Sequence, residues 1–121
     1  MPTIVALVKH VPDTWSTKSL EDDHTLDRTS VDNVIDEVNE YSVEQALRLR
    51  DNNPDAGYKV VALTMGPAQA DEALRKALAM GADDAVLVSD DSLAGADALS
   101  TAWTLNAALN QLDDVQLITA G

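Results

Sequence analysis

The turn at Met65-Gly66-Pro67 is the first place in the sequence where chemistry could be organised. The apolar run over residues 58–65 ends there, and a helical pattern begins directly after it. A planar ring could approach the backbone at Gly66, because glycine has no side chain. Pro67 suits the first position of a helix, where a missing N–H costs little. Composition alone favours the simpler interpretation, a tight strand-to-helix turn.

Basic side chains follow the first apolar run of the chain. Lys9 could contact a phosphate or a flavin, or it could be a solvated lysine at a strand end. His10 and His24 have no nearby residues at metal-ligand spacing, which predicts surface histidines and no metal site. No nucleophile lies beside a base, and the aspartates form no recognisable acid–base pair. The residues therefore predict no catalytic site.

The composition restricts the partners and the compartment. The 121 residues suffice for one domain with one core. The 21 acidic and 8 basic residues give a net charge of −13, which would repel nucleic acid and an anionic membrane surface. The absence of cysteine excludes disulfides and thiolate chemistry. The N-terminus has neither a span-length apolar run nor a secretory signal, so we expect a cytoplasmic protein without direct membrane insertion.

Strand and helix patterns alternate along the chain. Continuous apolar runs predict four strands, at residues 3–8, 58–65, 85–88 and 115–121. Helical periodicity predicts three helices, over 37–51 with Asp36 as N-cap, over 68–80 before Gly81, and over 96–112. The third helix is expected to face inward with Ala98, Ala102, Leu105, Leu109 and Leu112. A short hairpin could lie between residues 24 and 35.

This order predicts one α/β domain over residues 1–121. The expected fold is an open, doubly wound, Rossmann-like parallel sheet with four main strands and three helices. Ligands bind beyond the carboxyl ends of such strands, here at residues 7–11, 65–67, 89–90 and Gly121. Neither a P-loop nor a GxGxxG fingerprint is present. Because the sequence stops at a strand end, we expect a chain truncated after the fourth strand.

Four segments together resemble the β subunit of electron transfer flavoproteins, the FixA-like branch included. They are "VKHVPDT" (8–14), "VIDEVNEYSVEQALRL" (34–49), "ALTMGPAQADEALRKALAMGADDAVLVSD" (62–90) and "GADALSTAWTLNAAL" (95–109). They follow the family's order over most of the chain, and the details "DHTLDR" and "DEVNE" resemble the actinobacterial version. The resemblance implies the N-terminal part of such a subunit, with a fold similar to adenine nucleotide α-hydrolases.

The resemblance also implies a function. The family works as an αβ heterodimer that takes electrons from acyl-CoA-type dehydrogenases, as in fatty acid oxidation, and passes them to a membrane-bound quinone oxidoreductase. The α subunit mainly holds the redox FAD. The β subunit usually binds a structural AMP, or a second FAD in electron-bifurcating relatives. We therefore expect an electron-carrier subunit that is not itself an enzyme.

The family's nucleotide contacts correspond to two parts of this sequence. Leu7 and Met65 at strand ends are implied to contact AMP, with Gly66 and the candidate Lys9 beside them. The start of the first helix supplies the other implied contacts, which are Asp36, Glu37, Val38 and Asn39. Carboxylates here oppose a phosphate at a helix N-terminus. We therefore expect this turn to contact ribose or adenine and to leave the phosphate to another loop, which in the family follows the fourth strand.

Two alternative functions stay open beside the electron-transfer role. One is a universal-stress-type ATP-binding module on the same fold, and the other is a structural interaction domain whose pocket stays empty. The residues leave open whether AMP or FAD would fill the pocket. They also leave open which dehydrogenase and which final acceptor the protein uses.

Overall fold

A four-stranded parallel sheet forms the centre of the molecule. The computed structural model describes all residues from 1 to 121. Its strands are β1 (Thr3–Leu7), β4 (Lys59–Met65), β5 (Asp84–Val88) and β6 (Val115–Thr119), in the order β5-β4-β1-β6. All neighbouring pairs in this sheet are parallel. The predicted open α/β sheet is therefore confirmed.

Three helices connect the strands of the sheet. They are α1 (Glu37–Asn52), α2 (Asp71–Met80) and α3 (Ala98–Leu109). The chain moves in one direction across the sheet from β1 to β5 and returns past both inner strands to reach β6. Because such crossovers are right-handed, α1 and α2 lie on one face and α3 lies on the other. This arrangement is the doubly wound form that the sequence predicts.

The two inner strands are buried because their side chains are apolar on both faces. Ile4, Val5 and Ala6 of β1 have no exposed surface, and neither does Leu63 of β4. Even-numbered residues of β1 and β4 join the buried faces of α1 and α2 in one hydrophobic cluster. Continuous apolar sequence thus corresponds to strands enclosed on both sides.

Two of the predicted helix ends are confirmed in atomic detail. The carboxylate of Asp36 accepts a hydrogen bond from the backbone N–H of Val38 at 3.1 Å, as an N-cap does. Gly81 follows α2 with φ of 127°, a backbone conformation that favours glycine. Pro67 was expected at the first helical position, but a short 3₁₀ turn over Ala68–Ala70 precedes α2. The proline therefore lies outside the helix.

The third helix differs from its prediction in length and in the face that it buries. Ala98 and Ala102 are exposed, whereas Leu105, Leu109 and Leu112 are half-buried. The half-buried stripe of α3 consists of Thr101, Thr104, Leu105, Ala108 and Leu109. Alanines occur on several sides of this helix, so counting apolar residues could not locate the stripe.

The hairpin expected between residues 24 and 35 is wrong. The structure instead pairs β2 (His10–Pro12) with β3 (Asn33–Ile35) in an antiparallel two-stranded sheet. Residues 13–32, which we call the connecting segment, run between these two strands and contain only the isolated bridge from Leu20 to Leu26. The pairing of His10 with Ile35, which are distant in sequence, determines this arrangement, and no local sequence pattern predicts it.

None of the helices is both long and apolar enough to cross a membrane.

Candidate functional site

The carboxyl ends of the parallel strands open into one shared cleft. Its volume is about 810 Å³, and its lining includes Leu7 at the end of β1, Met65 at the end of β4 with Gly66 directly after it, and Gly121 beyond β6. Pockets of roughly 300–1,000 Å³ are typical of small-molecule and cofactor sites. The strand ends predicted to lie together are therefore neighbours in the structure.

Lys9 links the tips of β1 and β4. Its ammonium donates a hydrogen bond to the backbone carbonyl of Met65. The side chain is half-buried, so the alternative of a solvated lysine is wrong. Burial lowers the pKa of Lys9, and the positive charge of Arg28 lowers it further. The surroundings of Lys9 in the cleft therefore disfavour its charged ammonium form.

Asn39 fixes the start of α1 against the end of β1. Its side-chain oxygen accepts a hydrogen bond from the backbone N–H of Lys9 at 2.8 Å, and the Asp36 N–H donates to the Lys9 carbonyl at 2.8 Å. Asn39 is buried, with 6% of its surface exposed. Its amide therefore has a structural partner, although the residue also lines the cleft.

Close contacts within the protein favour glycine at position 66. A Cβ atom at this position would lie 3.1 Å from the Cβ of Ala70 and 3.3 Å from the ammonium nitrogen of Lys9. The Gly66 N–H also donates to the carbonyl of Val88 at 3.0 Å. The missing side chain therefore makes room for Lys9 and for the turn into α2.

The remaining residues predicted at the α1 start lie beside the cleft. Asp36, Glu37 and Val38 are absent from its lining, in contrast to Asn39. Gly121 packs against this turn, since a Cβ on it would lie 2.7 Å from the carbonyl oxygen of Val38. The tip of β6 thus separates most of the α1 start from the cleft.

One wall of the cleft comes from the connecting segment, which the sequence did not point to as part of the site. Glu21, His24, Thr25 and Arg28 line this wall. The loop after β5 contributes residues 89–91 and 93–96 to the lining. The two walls meet where a Cβ on Gly95 would lie 3.2 Å from the methyl carbon of Thr25. The one available sequence signal is Arg28 itself, the only lysine or arginine between positions 19 and 47.

Arg28 also borders a second, smaller cleft of about 390 Å³ beside α2. His10 lies there with 4% of its surface exposed, so its predicted surface position is wrong. The ring is buried because β2 pairs with β3, and its Nε2 lies 3.7 Å from a carboxylate oxygen of Glu72. His24 is exposed as predicted. No group of three or more His, Asp or Glu side chains could hold a metal ion.

Comparison with known proteins gives one family and a consistent set of relatives. Residues 23–121 match the electron transfer flavoprotein domain. The electron transfer flavoprotein subunit beta of Mycobacterium leprae is 49% identical, over 100% of this chain and 47% of the relative. The caffeyl-CoA reductase-Etf complex subunit CarD of Acetobacterium woodii is 41% identical, over 98% and 44%. The subunit beta of Megasphaera elsdenii is 43% identical, over 90% and 40%.

These relatives are longer than this chain. The chain spans about half the length of the relatives that it matches, since it covers 47% of the mycobacterial protein. The matched residues include the strand tips at Met65 and Gly121, the loop after β5 and Arg28 of the connecting segment. The similarity therefore extends over most of the cleft.

Proposed function

The chain belongs to the electron transfer flavoprotein family, and we propose that it acts as part of a β subunit that carries electrons from acyl-CoA-type dehydrogenases toward the respiratory chain. In this proposal the cleft binds AMP, and an α subunit holds the FAD. The subunit works in the cytoplasm as an electron carrier without catalysing a reaction of its own. The family match favours this role over a universal-stress-type module or an empty structural domain.

The convergence of the strand tips is the observation that carries this proposal. Leu7, Met65 and Gly66 belong to different chain segments, yet they line the same cleft. The hydrogen bond from the Lys9 ammonium to the Met65 carbonyl holds two of these tips together. A cavity framed by backbone and apolar side chains suits a flat purine base, which needs close contact on its faces.

The groups around the cleft also suit the remainder of a nucleotide. Lys9 and Arg28 supply positive charge on one side, where a phosphate group would be favoured. Asp36 and Glu37 are absent from the lining, and the chain after β6 packs against their neighbour Val38. Lys9 and Arg28 would therefore bind and orient the nucleotide.

Flavin chemistry would come from outside this chain. A bound FAD supplies the group that accepts and releases electrons. This chain has no cysteine, so it offers no thiol for redox work. Its own residues would hold a structural nucleotide and present a face to the α subunit, by analogy with relatives named as subunits of larger assemblies, such as the caffeyl-CoA reductase-Etf complex.

Co-expression with an α subunit tests this function. We expect a yellow complex with the absorption of FAD, and release of AMP from it on denaturation, detected by chromatography. A colourless complex, or a protein that carries ATP without any flavin, would contradict the proposal. The second result would support the universal-stress alternative.

A pair of leucine substitutions tests the cleft itself. Leu93 lines the cleft, whereas Leu99 is 69% exposed on α3 and lies outside it. Leu93→Trp should fill part of the cavity and weaken AMP binding in calorimetry, while Leu99→Trp should leave it unchanged. Equal AMP affinity in both variants would place the nucleotide elsewhere.

A further inference from the structure

The eight basic residues divide into two groups by their partners. Arg48, Arg50, Lys59 and Arg75 form ion pairs with carboxylates. The other four have no carboxylate partner, although the chain carries 21 acidic residues. They are Lys9, Lys18, Arg28 and Lys76. Of these four, only Lys9 and Arg28 are half-buried, and both line the main cleft.

Arg28 is held in place by several contacts despite lying in an irregular segment. The side-chain amide of Asn33 donates to the Arg28 carbonyl at 2.6 Å and to the Val31 carbonyl at 3.0 Å. The guanidinium of Arg28 in turn donates to the His10 carbonyl at 3.3 Å. That single bond leaves most of its donors free, since guanidinium has five N–H groups.

The neighbouring carboxylate, that of Asp27, already accepts hydrogen bonds from other groups. Asp27 accepts hydrogen bonds from the backbone N–H groups of Thr29 at 3.1 Å and Ser30 at 3.2 Å, and from the Ser30 hydroxyl. The Ser30 hydroxyl and backbone bonds lower the pKa of Asp27 to about 2. Asp27 therefore organises the turn that carries Arg28 and does not pair with the arginine.

Lys9 and Arg28 are neighbouring cations that form no ion pair, although the carboxylates of Glu21, Asp90 and Asp91 also line the cleft. Such a pair is unfavourable in a partly buried site. The charge of Arg28 opposes that of Lys9, in addition to the cost of burial. An anion bound between them would offset this repulsion and use the free guanidinium donors. The start of α1 does not offer an alternative anion site, because Asp36, Glu37 and Glu40 give it negative charge.

We propose that Arg28 and Lys9 form an anion subsite in the cleft and hold the phosphate of a nucleoside phosphate. This inference rests on the proposed function, because it assumes that the nucleoside occupies the strand tips. It assigns the connecting segment a direct role in binding. It also adds a phosphate contact from within the chain, beside any contact made by other segments.

Titration calorimetry of the purified protein with AMP, adenosine and inorganic phosphate tests the subsite. We expect AMP to bind more tightly than adenosine or phosphate alone. Arg28→Gln should weaken AMP binding about 10- to 100-fold, as expected for a lost charge-assisted hydrogen bond, and leave adenosine binding unchanged. Lys18→Gln is the matched control, because it removes a cation from the same segment outside the cleft. Its AMP affinity should equal that of the unmodified protein.

The outcomes separate this inference from the proposed function. Equal affinities for AMP and adenosine, with no effect of Arg28→Gln, would overturn the subsite and leave the nucleoside site intact. Inorganic phosphate binding as tightly as AMP would also overturn it, because the site would then select free phosphate. Failure of both AMP and adenosine to bind would overturn the proposed function together with the subsite.

A second measurement does not depend on how well the variant folds. The pKa of Lys9, followed by side-chain NMR in the unmodified protein, should rise when AMP binds, because an anion stabilises the ammonium form. Adenosine should produce no such rise. An unchanged pKa of Lys9 at saturating AMP would contradict a shared phosphate.

Discussion

The half of the molecule built on α1 and α2 is packed, whereas the half built on α3 and β6 is open. Helix α1 buries five residues and α2 buries three, but α3 buries none. Leu99 and Trp103 of α3 are about 70% exposed, and Leu117 and Ile118 of β6 are 43% and 46% exposed. Yet α1 and α3 both begin at an aspartate whose carboxylate caps the first turn. Local signals such as a cap can start a helix, but only tertiary contacts bury its side chains.

The cleft lies at the boundary between these two halves. Leu7, Lys9 and Met65 come from the packed half, and Leu105 and Gly121 come from the open half. The strand tips at which we propose that a nucleotide binds therefore belong mostly to the packed half. Variants that probe each half should differ in a predictable order.

The largest difference is expected between two isoleucines on neighbouring strands. Ile4 has no exposed surface in β1, and Ile118 is 46% exposed in β6. Ile4→Ala should lower the free energy of unfolding by about 2–5 kcal/mol, because it leaves a cavity in the core. Ile118→Ala should cost less than about 1 kcal/mol. Urea denaturation measures both, and equal losses would mean that the two halves are equally packed.

Two asparagines give the next largest contrast. Asn39→Ala should cost about 1–3 kcal/mol, since the partly buried N–H of Lys9 loses its acceptor. Asn106→Ala on the exposed surface of α3 is the control and should have almost no effect. A loss at position 39 no larger than that at position 106 would show that the link between β1 and α1 is unimportant.

The N-caps of α1 and α3 extend the comparison to helix ends. Asp36→Ala should lower global stability by about 1 kcal/mol, because α1 belongs to the packed half. Asp97 accepts from the backbone N–H of Ser100 at 2.8 Å, but α3 is loosely packed. Asp97→Ala should therefore accelerate amide exchange within α3 and leave the global transition nearly unchanged. If both variants lowered the global stability to the same extent, the idea that α3 unfolds locally would be contradicted.

The smallest expected effect is a change in α3 with pH. Hydrogen bonds from Ser100 lower the pKa of Asp97 below its ordinary value of 3.8. The cap should therefore contribute fully above about pH 4 and be lost as pH falls through the lower folded pKa. Carboxyl NMR should follow this titration together with the helical shifts of α3. In Asp97→Asn the helical shifts should lose this pH dependence, and a persistent dependence would assign it to another group.

Much of the fold could be predicted because its signals are local. Continuous apolar runs locate the four strands of the main sheet, and Asp36 and Gly81 mark helix ends through their own backbone preferences. The connecting segment could not be predicted, because its order depends on side-chain bonds such as those of Asp27 and on pairing between His10 and Ile35. The inward face of α3 was misjudged for a related reason, since alanine fits a buried or an exposed side equally well.

The candidate site also has residues that could be predicted from the sequence and residues that could not. Leu7, Met65 and Gly66 could be predicted as neighbours because parallel strand ends lie at one edge of a sheet. Arg28 could not, because its place in the cleft depends on the distant carbonyl of His10. The packing role of Gly66 could not be predicted either, since the atoms nearest to it belong to Lys9 and Ala70.

The position of Lys9 and Arg28 within an acidic protein has a consequence for the rate at which an anion arrives. At a distance an anion encounters the net charge of −13 and is repelled. It responds to the two cations only within about a Debye length, roughly 8 Å at physiological ionic strength. Added salt should therefore speed the encounter by screening the distant repulsion, while it shortens the lifetime of the bound state. A protein whose entire surface attracts its ligand shows the opposite trend in encounter rate.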